Sequence, residues 1–148
     1  MAPDVPMLHA KYLMEEELKK SGIPYVIYRP TGYFYDIVHV FRPMVEKGTV
    51  TLLGKEQVRA IGGKETYTYE EMAKMCFAAA GKETCIKRAP VFLFDVLIFT
   101  NHLKKNGRDA IIRFSKWTLT ESMVGEVQYG SHSFAQYIED SFQGKEGK

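Results

Sequence analysis

The residues with the most chemical potential in this chain are Arg29-Pro30-Thr31-Gly32, which cut off the apolar stretch Tyr25-Val26-Ile27-Tyr28 and lead into Tyr33, Phe34 and Tyr35. A break of this kind sets a guanidinium, a hydroxyl and a glycine backbone where a strand would end, and ligands of open α/β sheets sit at the carboxyl ends of strands. The plainer alternative pairs Arg29 with a helix end or a carboxylate and uses Pro30 and Thr31 to stop a strand and cap a helix. Tyr33, Phe34 and Tyr35 either line a pocket or belong to the core. Other chemistries lack the required spacing. His9, His39, His102 and His132 are scattered, and no Ser or Cys has a neighbouring His and acid in a triad pattern. Cys76 and Cys85 have no further Cys or His at ligand spacing, which argues against zinc. Gly62-Gly63 does not extend to the G-x-G-x-x-G of a phosphate-cradling turn, and neither does any other stretch.

The elements that would hold these groups alternate along the chain. Residues 8–21 read as a helix with Ala10, Leu13, Met14 and Leu18 as its apolar stripe, and Glu15 with Lys19 and Glu16 with Lys20 stand four apart in the favourable order. Gly22 supplies a left-handed stop and Pro24 forbids continuation. Residues 25–28 then read as a strand, apolar at successive positions as burial on both faces of a parallel sheet demands. Beyond the link, Phe34, Ile37, Val38, Phe41 and Val45 recur at helical spacing, with Pro43 in the last turn and Gly48 closing it. Short strands are expected over 49–53 and 57–61. Thr68 and Glu71 have capping-box spacing and open a helix through Met72, Met75, Cys76 and Ala79 to Gly81. A strand is expected over 84–87, then a greasy helix from Pro90 toward Lys105. Residues 106–117 are ambiguous, and 133–142 form a last helix with Phe134, Tyr137, Ile138 and Phe142 on one side.

At 148 residues the chain is expected to bury roughly two thirds of its unfolded surface. Its net charge of +2 is spread in mixed clusters, which argues against a nucleic-acid surface. Two cysteines without a framework fit a reduced, intracellular protein, taken here as cytoplasmic. Met1-Ala2-Pro3-Asp4-Val5-Pro6 lacks the succession of a secretory signal. The greasy run from Val91 to Phe99 is about half a membrane span and carries Asp95, so no transmembrane segment is expected. It is read as a buried helix, with a pocket wall or a membrane-surface contact as alternatives.

Taken in order, His9-Ala10-Lys11, Glu15, Leu18, Ser21-Gly22-Ile23-Pro24-Tyr25 and Ile27-Tyr28-Arg29-Pro30-Thr31 with Phe34 resemble the middle of atypical short-chain dehydrogenases/reductases of the NmrA-like type. Ile61-Gly62-Gly63, Thr68 to Met72, Phe77, Ala80-Gly81-Lys82, Glu121-Ser122-Met123 and Tyr129-Gly130 with Phe134 follow in the same order. These resemble the divinyl chlorophyllide 8-vinyl-reductase-like subgroup. The resemblance covers nearly the whole chain and implies an α/β fold: a partial, C-terminal half of a Rossmann-type domain, with a parallel strand flanked by helices, and a small, mostly helical lobe. It also implies NADP or NAD as cofactor and a small-molecule substrate. Lys11 takes the place of a helical Lys that binds the nicotinamide ribose and assists a proton donor, which makes it the catalytic candidate. Arg29, Pro30, Thr31 and Gly32 would border the cofactor, and Tyr33 and Phe34 the substrate.

Departures from that family matter as much as the matches. Met7 stands where related enzymes carry a Tyr four residues before the Lys, so no proton donor is in that place. The strand, Gly-rich turn and helix that open a complete relative have no counterpart here. Between Gly54-Lys55-Glu56 and Ile61 there are only Gln57-Val58-Arg59-Ala60, where relatives carry a helix-containing segment. The expectation is either a truncated or internally spliced polypeptide or a rearranged fold that buries the exposed sheet edge in some other way, with residues 1–61 a remnant of the NAD(P)-binding domain and 62–148 a substrate lobe, or both in one compact domain. An exposed sheet edge would then invite a homodimer. Two functions follow: a reductase-like protein weakly active or inactive alone, or a non-catalytic ligand-binding or interaction module derived from one.

Overall fold

The computed structural model describes residues 5–30, 32–54, 58–61, 65–104, 107–124 and 130–144. Among these the chain is α/β and mostly helical. The helices are α1 (Pro6–Lys20), α2 (Phe34–Glu46), α3 (Tyr69–Ala79), α4 (Phe92–Leu103), α5 (Arg108–Thr120) and α6 (Phe134–Phe142). The strands are β1 (Val50–Leu53), β2 (Val58–Ile61), β3 (Glu65–Thr68) and β4 (Ile86–Ala89). β1 and β4 pair in parallel with Val50 opposite Ile86, and β2 and β3 pair antiparallel with Val58 opposite Thr68. The chain divides into two compact units, one made of Met1–Arg29 with Pro90–Thr120, the other of Pro30–Ala89 with Glu121–Lys148.

The second unit holds the core. Ile37, Val38, Phe41 and Val45 repeat along one face of α2 and are buried against Met72, Ala73, Cys76 and Phe77 of α3, Val50 and Leu52 of β1, and Phe134 and Ile138 of α6. The helix period expected for α2, α3 and α6 is therefore the period of burial. α3 opens with the full capping box: Thr68 accepts from the Glu71 amide through its side chain, and the Glu71 carboxylate accepts from the Thr68 amide at 2.8 Å. Gly81, at φ 66°, takes the left-handed conformation that ends α3. Two side chains tie off helix ends across the unit. Lys82 Nζ donates to the Val45 and Glu46 carbonyls at 2.9 and 3.2 Å, closing the C-terminus of α2. Glu65 accepts from the Phe134 amide at 2.6 Å and from Ser133 Oγ at 3.0 Å, capping α6 with a carboxylate from β3.

The first unit is built from α1, the link after it, α4 and α5, with little apolar interior. Val5 and Ile98 are its buried apolar residues among those described, and Glu15 is the buried residue of α1. Gly22, at φ 71°, stops α1 as expected.

Several expectations are corrected here. Residues 25–28 are not a strand: they carry no regular structure, Val26 is 74% exposed and Tyr28 87%, and no backbone hydrogen bond joins residues 24–28 to another described residue. A strand needs a neighbour for its amides and carbonyls, and no described strand lies beside this one. The α1 stripe is likewise uncovered, with Leu13 and Met14 exposed. Its ion pairs run at three residues instead of four, Lys19 to Glu16 at 2.7 Å and Lys20 to Glu17 at 3.2 Å. α4 is not a buried helix, since Ile98 is its one buried residue. β4 lies two residues later than expected, β3 was not anticipated, and the ambiguous 106–117 stretch is largely α5. Gln57, Gly62 and Gly63 lie outside the described residues.

Candidate functional site

The chain reversal at Gly22 and Pro24 brings Arg29 back alongside Glu15 of α1, fourteen residues earlier. The guanidinium takes the carboxylate in a two-pronged grip, with Nε donating to Glu15 Oε1 at 3.0 Å and Nη2 donating to Oε2. This planar fork is the geometry in which Arg recognises carboxylates best. Glu15 is nearly buried while Arg29 stays largely in solvent. The Arg29 hydrogen bond holds the Glu15 carboxyl below its ordinary range, against the opposing effect of burial, and the charges of Arg29 and Lys19 add to it. The same hydrogen bond raises the Arg29 pKa. Of the two readings open for Arg29, pairing with a carboxylate is what the structure contains.

Lys11 lies one turn before Glu15 on α1, is exposed, and makes no hydrogen bond or ion pair with another described residue. Pro30 is exposed and Gly32 half-buried; Thr31 lies outside the described residues. Tyr33 is exposed. Phe34 is half-buried, its ring 5.3 Å from that of Phe134 and 5.5 Å from that of Tyr137, so it packs on the core of its unit. Lys11 and Arg29 belong to the first unit, while Pro30, Gly32, Tyr33 and Phe34 belong to the second.

These groups do not by themselves fit a dinucleotide. A pyrophosphate needs backbone amides at a helix N-terminus, and the sequence has no Gly-rich turn to present them. The Arg29 fork is occupied by Glu15, and among the described residues Lys11 has no hydrogen-bond or ion-pair partner. Cys76 is excluded as a nucleophile: burial pushes its thiol up to about 12, with Arg42 pulling weakly the other way. Among the described residues no three of His, Cys, Asp and Glu come together to hold a metal, and no helix is long and apolar enough to cross a membrane. Sequence reasoning missed Glu15 as the partner of Arg29. The available signal was the turn at Gly22 and Pro24, which must return the chain along α1.

Among curated proteins, the Photosystem II assembly factor Ycf39 of Trieres chinensis is similar, at 18% identity over 121 residues. The match covers 64% of this chain, which spans 38% of the length of that relative. At this identity and coverage the likeness is distant and reaches no subgroup. No protein-family model matches the chain, and no solved structure matches it.

Proposed function

We propose that this chain is the C-terminal part of an NAD(P)-binding, reductase-like protein of the atypical short-chain dehydrogenase/reductase type, NmrA-like, and that it turns over little or not at all by itself. One observation carries the reading: the chain is similar, at 18% identity over 121 residues, to a curated protein of whose length it spans 38%. Residues 25–28, irregular and exposed in this structure, would then gain a strand partner only from other residues. On this reading residues 1–61 derive from the cofactor domain and 62–148 from the substrate lobe. Lys11 and the Arg29 to Gly32 link then border the nicotinamide once the sheet is present, with Tyr33 nearer the substrate.

The second reading is a non-catalytic interaction module derived from a reductase. It is favoured by Met7, which puts a thioether where a proton-donating phenol would be, and by a relative named as an assembly factor. Calorimetric titration with NADPH and NADH separates the two, performed on the chain alone and on the chain mixed with a polypeptide comprising the part of the relative that the match leaves uncovered. The reductase-like reading expects binding in the mixture and none by the chain alone up to about 1 mM. Binding in neither arm favours the interaction module, and micromolar binding by the chain alone contradicts the proposed dependence on a supplied sheet.

A further inference from the structure

Residues 22–28 return from the end of α1 tied at their two ends. At the start, the Ser21 hydroxyl donates to the Leu18 carbonyl at 2.7 Å and accepts from the Ile23 amide at 3.2 Å. At the far end Arg29 grips Glu15. Between them no backbone hydrogen bond joins residues 24–28 to another described residue, and Tyr25, Val26 and Tyr28 are exposed.

The tether alone does not bring Arg29 to Glu15. Residues 22 to 29 reach about 23 Å when extended, while α1 rises only about 9 Å from residue 15 to residue 21, so the returning chain has slack. The ion pair therefore selects where Arg29 lies. Glu15 in turn has a second partner within reach. Lys19 stands one turn further along the same face of α1, its charge acts on the Glu15 carboxylate, and its ammonium is held by Glu16 at 2.7 Å. A Glu four residues before a Lys is the favourable order on a helix, whereas Lys11, four residues before Glu15, stands in the unfavourable one.

We propose that Glu15 is a two-position switch. Clasped, its carboxylate holds the Arg29 fork and sets the course of residues 22–28 beside α1. Unclasped, it pairs with Lys19 and releases the guanidinium and the segment together. The two arrangements share one carboxylate, so each excludes the other.

The balance between them is close. Two charge-assisted bonds in a planar fork favour Arg29 over the single ammonium of Lys19. Against that, the Arg29 side chain is 62% exposed, and an ion pair so open to water is weak and screened by salt. What the switch controls rests on the reductase-like reading: clasped, Arg29 is withheld from a cofactor at the 29–32 link, and unclasped it is free for one. The switch itself is read in the chain alone, so its failure and the failure of that reading are told apart.

NMR of the Arg29 side-chain Nε–H tests it, the signal being assigned by its loss in Arg29→Lys. At low salt the wild-type Nε–H should exchange with solvent at least about 10-fold more slowly than that of Arg in a free peptide. Salt at 1 M, where the screening length is about 3 Å, should remove most of that protection. Glu15→Gln should abolish it while the amide spectrum of the second unit stays as it was, and Lys19→Met, which takes away the alternative partner, should raise it. Free-peptide exchange in the low-salt wild type, or protection that survives Glu15→Gln, overturns the clasp. Protection in Lys19→Met equal to that of the wild type overturns the exchange with Lys19. If Glu15→Gln does not fold, the wild-type salt series decides, and protection unchanged at 1 M salt overturns the proposal.

Discussion

Phe134→Ala is the perturbation with the largest consequence that the core predicts. The Phe134 ring is fully buried at the first turn of α6, 5.3 Å from Phe34 and 5.8 Å from Tyr67, so it joins α2, β3 and α6. Truncation removes the transfer free energy of the ring and leaves a cavity that three elements must collapse to fill, at a cost of about 3–5 kcal/mol. A unit of this size has roughly 4–13 kcal/mol in all, so the loss is a large share. With a urea slope near 2 kcal/mol per molar, the midpoint should fall by about 1.5–2.5 M. Far-ultraviolet circular dichroism gives the midpoint, and amide exchange should quicken in α2 and α3 along with α6. A loss below about 1 kcal/mol would refute the placement of Phe134 as the joint of that core.

Other consequences are smaller. Glu65→Ala should cost about 1–2 kcal/mol by uncapping α6, read as faster exchange at the Phe134 amide. Cys85 should react at once with a thiol reagent while Cys76, buried with its pKa near 12, reacts only on unfolding. Glu15, Glu70 and Glu71 have carboxyl pKa values lowered in the fold by hydrogen bonds from Arg29, Lys74 and Thr68, so their stabilisation is present above the usual pKa near 4.5 and lost as pH falls through the lowered values. The urea midpoint should therefore be level from pH 7 to about 5.5 and decline below about 4.5. Val26→Lys should change the stability of the chain alone by no more than about 0.5 kcal/mol, since the side chain is in solvent; a loss of several would mean that residue 26 is buried.

The sequence made the second unit legible because its residues find their partners within the chain. The 3.6 period of Ile37, Val38, Phe41 and Val45, the Thr68 and Glu71 box and the glycine stops each act locally, and each is found as written. Period two was too brief to mark β3, whose four residues alternate polar groups with one tyrosine. In the first unit the strand expected over 25–28 is not found and the apolar stripes of α1 and α4 are largely uncovered. Tyr25 to Tyr28 and the ridge of α4 are as greasy as a core requires, but burial needs a partner, and the pattern does not say which atoms supply it. The same gap explains the candidate site. Pairing with a helix end or a carboxylate was one of two readings of Arg29, while Glu15 was assigned to Lys19 on helix spacing alone.

Amide hydrogen exchange at residues 25–29 tests the central claim most directly, with the chain alone and with a polypeptide comprising the part of the relative that the match leaves uncovered. The account predicts exchange close to that of a free peptide when the chain is alone, and strong protection, reaching that of α3, once the second polypeptide is added. Protection already present in the isolated chain, or rates unmoved by a polypeptide that demonstrably binds, would contradict it.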